Sequence, residues 1–266
     1  MKTLKMSAVA LATSLIVACG GGGGGGNNAV APGVDGGAEA PDVGAADATY
    51  TVSVVNLTQS QPMSPPAIVM HQSGFNAFID GEPASFGIEV MAEGGSPVDL
   101  LVEAQAAPEH IVSVPASDVA LVPPLAISED ETLVVPSENV GDLRLTLLTM
   151  MIDTNDAFTG TNAVDISNMT VGEQRIFNQP TWDAGTEDNL ETADTMPGPA
   201  AQQAGGLAEG FNPARDDIQP VVHFHQGVVT SANANDPSRE GLSTSILTEI
   251  DRWDNPASRI VVTRTQ

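Results

Sequence analysis

From residue 49 the chain alternates. Tyr50, Val52 and Val54 fall on one side and Thr51 and Ser53 on the other, which predicts a strand with one face in a core. A second strand is expected over Ala67 to His71, after the Pro65-Pro66 turn. Pro83 to Glu93, followed by Gly94-Gly95, has proline in its first turn and glycine past its end, the punctuation of a short helix. Val98 to Ala107 is expected to form another. Residues 109–140 predict short strands among prolines, clearest at Thr132-Leu133-Val134-Val135. Leu143 to Ile152 is the most apolar segment and lacks strict alternation, so it is expected as a central strand buried on both faces. Gln174 to Phe177 leads toward Trp182, and residues 188–217 form a polar, Gly- and Pro-rich loop. Val221 to His225 and Arg259 to Thr265 are two further predicted strands; in the second, Ile260 and Val262 face away from Val261 and Thr263. Many short strands with long excursions predict a mainly all-β fold, an antiparallel β-sandwich with a few short helices and long loops.

The first 47 residues follow other patterns. Lys2 and Lys5 precede an apolar run from Ala8 to Val17, so residues 1–18 are expected to be a secretory signal peptide. That run is shorter than the roughly 20 residues a membrane-spanning helix needs. Leu15-Ile16-Val17-Ala18-Cys19-Gly20 resembles a bacterial lipoprotein cleavage box. Cys19 is the only cysteine, so an intramolecular disulfide is impossible and lipidation of Cys19 is the expected modification. Residues 19–47, mostly Gly, Ala, Asp and Pro, carry too little apolar surface to fold and are expected to act as a tether of roughly 30 Å. The glycine run at 20–26 contains a dinucleotide-type spacing, but no predicted strand or helix flanks it, so that reading is dropped. This leaves residues 48–266 as the folded domain, and the chain's 41% hydrophobic content permits a real core.

Charge narrows the partners. The formal net charge is −25, and both lysines lie within the signal, so arginine is the only base beyond it. Such a surface repels phosphates, and no nucleic acid partner is expected. Divalent cations suit it better. In Thr181-Trp182-Asp183-Ala184-Gly185-Thr186-Glu187, two carboxylates stand four positions apart around a glycine that can turn sharply enough to aim both inward. With Asp156 of Thr154-Asn155-Asp156-Ala157-Phe158, they could give Ca2+ its charged oxygens, carbonyls and water completing the six to eight that it takes. Asp153, Asn155, Asp188 and Glu191 are reserve donors, and Trp182 could shield the ion from water. With 34 acidic residues in the chain, the same spacing also fits a solvated acidic loop.

Three enzyme readings can be weighed on the residues. His223 and His225, two apart on a predicted strand, would share one face, and His71 could be the third ligand of a zinc-type site supporting a metal-dependent hydrolase. Packing histidines are the alternative. No Gly-x-Ser-x-Gly nucleophile motif is present, and no carboxylate pair stands out for glycoside cleavage. EF-hand spacing is absent too.

The order of segments resembles the bacterial form of the spondin N-terminal domain family. The pieces are Tyr50-Thr51-Val52-Ser53-Val54-Val55-Asn56-Leu57-Thr58, Ser64-Pro65-Pro66 through His71, and Gly81-Glu82-Pro83-Ala84-Ser85. Then follow the Asp156 and Asp183 segments, Pro197-Gly198-Pro199, His223-Phe224-His225-Gln226-Gly227 and Asn255-Pro256-Ala257-Ser258-Arg259-Ile260. The resemblance implies a β-sandwich similar to calcium-dependent lipid-binding domains, with a calcium site that falls on Asp156, Asp183 and Glu187. Glu187 stands where the family has Asp, one methylene longer. The resemblance also implies a non-catalytic role in adhesion or recognition, although the family's basic, heparin-binding surfaces have no counterpart in so acidic a chain. The expectation is thus a monomer, lipid-anchored to the membrane at the outer membrane or cell surface. It would bind Ca2+ and an extracellular or envelope ligand, protein or glycan. A carbohydrate-binding module is a further alternative.

Overall fold

The computed structural model describes residues 46–231 and 244–266, all within one unit, Gly44–Gln266. The expected signal peptide, Cys19 and nearly all of the expected tether lie outside the described residues.

Ten strands among the described residues form two antiparallel sheets. The four-stranded sheet has the order β4 (Glu131–Val135), β1 (Ala48–Asn56), β10 (Ser258–Arg264), β7 (Gln174–Gln179). The six-stranded sheet has the order β3 (His110–Ser113), β2 (Ala67–His71), β5 (Arg144–Met150), β6 (Ala157–Asp165), β8 (Thr181–Asp183), β9 (His223–Phe224). Alternation in β1 works as the sequence predicts: Tyr50, Val52 and Val54 are buried, as are Ile260 and Val262 of the paired β10. They meet Ile68 and Met70 of β2 and Leu145 and Leu147 of β5 across the space between the sheets. Each such side chain, fully buried, contributes about 1.5–3 kcal/mol. The result is a mainly β, sandwich-like fold.

A third layer explains why β2 and β5 lack alternation. Helices α1 (Phe86–Gly94) and α2 (Val98–Ala106) lie on the outer face of the six-stranded sheet. There Ile88, Met91, Leu100 and Leu101 cover Ala67, Val69, Leu148 and Phe158. Both faces of the central strands are therefore dry. Helix α1 begins at Phe86, not Pro83, because Ser85 Oγ accepts the Ile88 N–H at 3.2 Å and sets the N-cap. The expected loop 188–217 contains a short helix, α3 (Pro199–Ala204). The expected strand Val221 to His225 shrinks to two residues. Val221 N–H turns back to the Gln219 carbonyl at 2.7 Å, and Val222 pairs with Glu82. No helix among the described residues is long and apolar enough to cross a membrane.

Candidate metal centre

Two ladder contacts bring the acids together. Asp156 lies immediately before β6, and Asp183 closes β8. Pairing sets Ala157 opposite Asp183, and Asp183 opposite His223 of β9. The segment before β9 carries Asp217. It is held by Asp216 N–H donating to the Thr186 carbonyl at 3.1 Å and by the Gln219 turn. Gly185, at φ +68°, lets this segment pass directly over the β8 loop, since a Cβ there would lie 2.4 Å from the Val221 carbonyl oxygen. As a result, one oxygen from each of Asp156, Asp183 and Asp217 lies within 4.8 Å of the others.

The two carboxyl oxygens of Asp156 differ. Oδ2 accepts three hydrogen bonds, from Thr186 N–H (2.8 Å), Thr186 Oγ1 (3.1 Å) and Glu187 N–H (3.1 Å). Oδ1 is buried and has no partner. An orphaned carboxylate oxygen inside a protein is costly unless something positive meets it. Burial, reinforced by the Asp183 charge, pushes the Asp156 carboxyl well above the ordinary range. Burial raises Asp183 as well.

Asp183 is aimed by its neighbours. Its Oδ1 accepts Gly185 N–H at 2.8 Å, and its Oδ2 accepts Asn189 Nδ2 at 2.7 Å. His225 orients that amide in turn. Its Nδ1 accepts Gly227 N–H at 3.0 Å, so Nε2 carries the proton and donates to Asn189 Oδ1 at 3.2 Å. The His225 ring is buried, which lowers its pKa to about 4 and keeps it neutral. His225 therefore acts on the acids from behind.

The other predicted site residues are placed as follows. Glu187 stands outside the three-acid cluster. Its carboxyl accepts Asn155 Nδ2 at 3.3 Å, and burial, with the Glu93 charge, pushes it up to about 8. Asn155 Oδ1 accepts the Leu190 and Glu191 N–H groups. Asp153 accepts Ala200 N–H at 3.0 Å, beside α3. The three histidines do not converge. His71 lies on β2, four strands from β9, roughly 19 Å at ordinary strand spacing. Its Nδ1 donates to the Gln72 carbonyl (2.8 Å), and its Nε2 meets Thr146 Oγ1 (2.9 Å). His223 donates Nδ1–H to the Val221 carbonyl at 2.9 Å, with Asp183 Oδ1 3.8 Å away. Trp182 stacks on Phe224 with ring centroids 4.3 Å apart; strand alternation turns both rings away from Asp183.

Sequence reasoning missed Asp217. It sits among several acids in a polar loop, and only β8–β9 pairing brings it to Asp183. Compared with known proteins, the chain matches no family model, and no curated protein matches it in sequence.

Proposed function

We propose that this chain is a calcium-binding recognition module, held at the bacterial envelope by a lipid on Cys19 and acting without catalysis. The observation that carries the calcium reading is the unpartnered, buried Asp156 Oδ1 beside Asp183 and Asp217. The donor set is all oxygen, which suits a hard cation rather than zinc. Two oxygens on one Ca2+, each about 2.4 Å from it, stand at most about 4.8 Å apart. The three acids already fit that span. Asp156, Asp183 and Asp217 would hold the ion, with carbonyls and water completing its shell. Glu187 would act one step behind, its N–H fixing Asp156.

The recognition role is supported by the order of segments that resembles the spondin N-terminal domain family, and the anchor by the lipoprotein-type box ending at Cys19. A hydrolase on His71, His223 and His225 has less support, because two of the three rings have both nitrogens engaged and His71 is remote. Titration calorimetry of the full chain with Ca2+, Mg2+ and Zn2+ tests the metal. Saturable Ca2+ binding that Asp156→Asn and Asp217→Asn abolish is expected. Stoichiometric Zn2+ with no Ca2+ uptake would overturn the reading.

A further inference from the structure

Asp183 and Asp217 do not close the site off. Both line a cavity of about 390 Å3, while Asp156 is sealed behind them. We propose that a cation on these acids presents its open side to this cavity and there binds a neutral polyhydroxyl ligand, a glycan offering two adjacent hydroxyls. The proposal rests on the calcium reading above and adds the ligand class to it.

The chemistry of the walls selects the class. Asp188, Asp183 and Asp217 make the cavity rich in acceptors, and no arginine or lysine lines it. His223 donates its Nδ1 proton to the Val221 carbonyl, leaving Nε2 as one more acceptor. A carboxylate or phosphate ligand would find positive charge only at the cation and be repelled by the acids around it. Hydroxyls fit both demands. Their lone pairs replace water on Ca2+, which accepts neutral oxygens readily, and their protons go to the acceptors. Gln219 and Gln226 line the same cavity, and their side-chain amides, engaged with nothing among the described residues, supply donors as well as acceptors. Leu190 and Ile218 give the wall an apolar strip, and Ile218 is 93% exposed. A sugar ring has such a C–H face beside its hydroxyls. The volume lies in the lower part of the range for small-molecule sites, enough for a ring or two.

The test uses the full chain in two steps. Calorimetry with Ca2+ comes first. The Ca2+-loaded chain is then applied to an array of neutral and sialylated glycans, in Ca2+ and in EDTA. The expected result is retention on at least one neutral glycan, lost at least tenfold in EDTA. Its methyl glycoside, free in solution, should raise the apparent Ca2+ affinity by the same factor as Ca2+ raises glycoside affinity. Gln219→Ala and Gln226→Ala should each weaken glycan binding about fivefold, with Ca2+ affinity unchanged within twofold. Ca2+ binding with a silent array would overturn the glycan proposal and leave the metal reading standing. So would retention that EDTA does not reduce, or retention on sialylated glycans alone. Absence of any Ca2+ binding in the first step would overturn the underlying reading itself.

Discussion

Replacing Asp156 by asparagine should have opposite effects with and without calcium. The amide is nearly the same size and keeps one oxygen for the three donors that Asp156 Oδ2 now satisfies. What it removes is charge. Two full charges at the 4.8 Å limit of the cluster repel by about 3.5 kcal/mol at an effective dielectric of 20. Closer approach would raise that figure, but proton uptake by the raised Asp156 already relieves part of the repulsion in the calcium-free protein, so the gain there is smaller than the bare Coulomb value. In EDTA the variant should melt at the same temperature as the wild type or a few degrees higher. In calcium at a hundredfold excess over Kd, the wild type gains about 2.7 kcal/mol, or about 5–11 °C for a domain of this size. The variant should gain almost nothing. Differential scanning calorimetry of both proteins in both buffers reads the two signs directly. If Asp156→Asn lowers the melting temperature equally in EDTA and in calcium, the carboxylate serves only the loop's hydrogen bonds. The reasoning then fails.

The remaining predictions use the same assays. Without calcium, the stability contributed by three buried acids should be full below about pH 4 and fall as pH rises to about 8, while buried His225 contributes the opposite trend between about pH 6.5 and 4. Buried Asp153, Glu191 and Glu187, held up to about 6, 7 and 8, stay protonated in the folded chain where the unfolded chain has ionised. Denaturant melts across that window check this, and Glu187→Gln should flatten its upper half. Gly185→Ala should cost more than about 3 kcal/mol, since its Cβ would strike the Val221 backbone, whereas Gly81→Ala, at φ +84° with open space around it, should cost only about 1 kcal/mol. Asn189→Ala should weaken Ca2+ binding at least tenfold, and His225→Ala should add little in that background, because both act on Asp183 through one amide. Radiolabelled fatty acid should enter the wild-type chain but not Cys19→Ala, measured by autoradiography of membrane fractions.

Regular patterns made the frame legible. Strand β1 could be read residue by residue, because one of its faces is fully buried while the other, at Thr49, Thr51 and Val55, is only half-buried. The apolar run at 143–152 could be read as central because helices and sheet bury opposite faces of β5. The end of α1 could be read from Gly94-Gly95, whereas its start, expected at Pro83, is set by the Ser85 side chain that accepts the Ile88 N–H. The site was legible only in part. Asp156 and Asp183 flank strands, so ladder pairing fixes them. Asp217 lies in a segment whose path depends on contacts with Glu82, Thr186 and Gly185, all distant in sequence. Loop positions set by such contacts leave no periodic trace. The histidine pattern misled for a related reason: His225 is spent on orienting Asn189, a use that spacing alone cannot distinguish from ligation.

The acids at this end of the sheet also bear on what a bound ion would do to the fold. Asp153, Asp156, Asp183, Glu187 and Glu191 are all buried, and in each of them burial pushes the carboxyl upward. The nearby buried Glu89, by contrast, has an arginine, Arg215, in contact. A fold selected for stability alone would replace such groups by apolar ones at little or no cost. Their presence, in a chain already at −25, fits a fold whose calcium-free state is the weaker one. A divalent ion on Asp156, Asp183 and Asp217 would then tie the start of β6, the end of β8 and the approach to β9 into one rigid edge. On this argument calcium removal should loosen those three segments first, and hydrogen exchange should show protection lost at 154–157, 183–191 and 216–223 while β1 and β10 keep theirs. Uniform loss across both sheets would instead mean that the ion supports the whole fold rather than this edge.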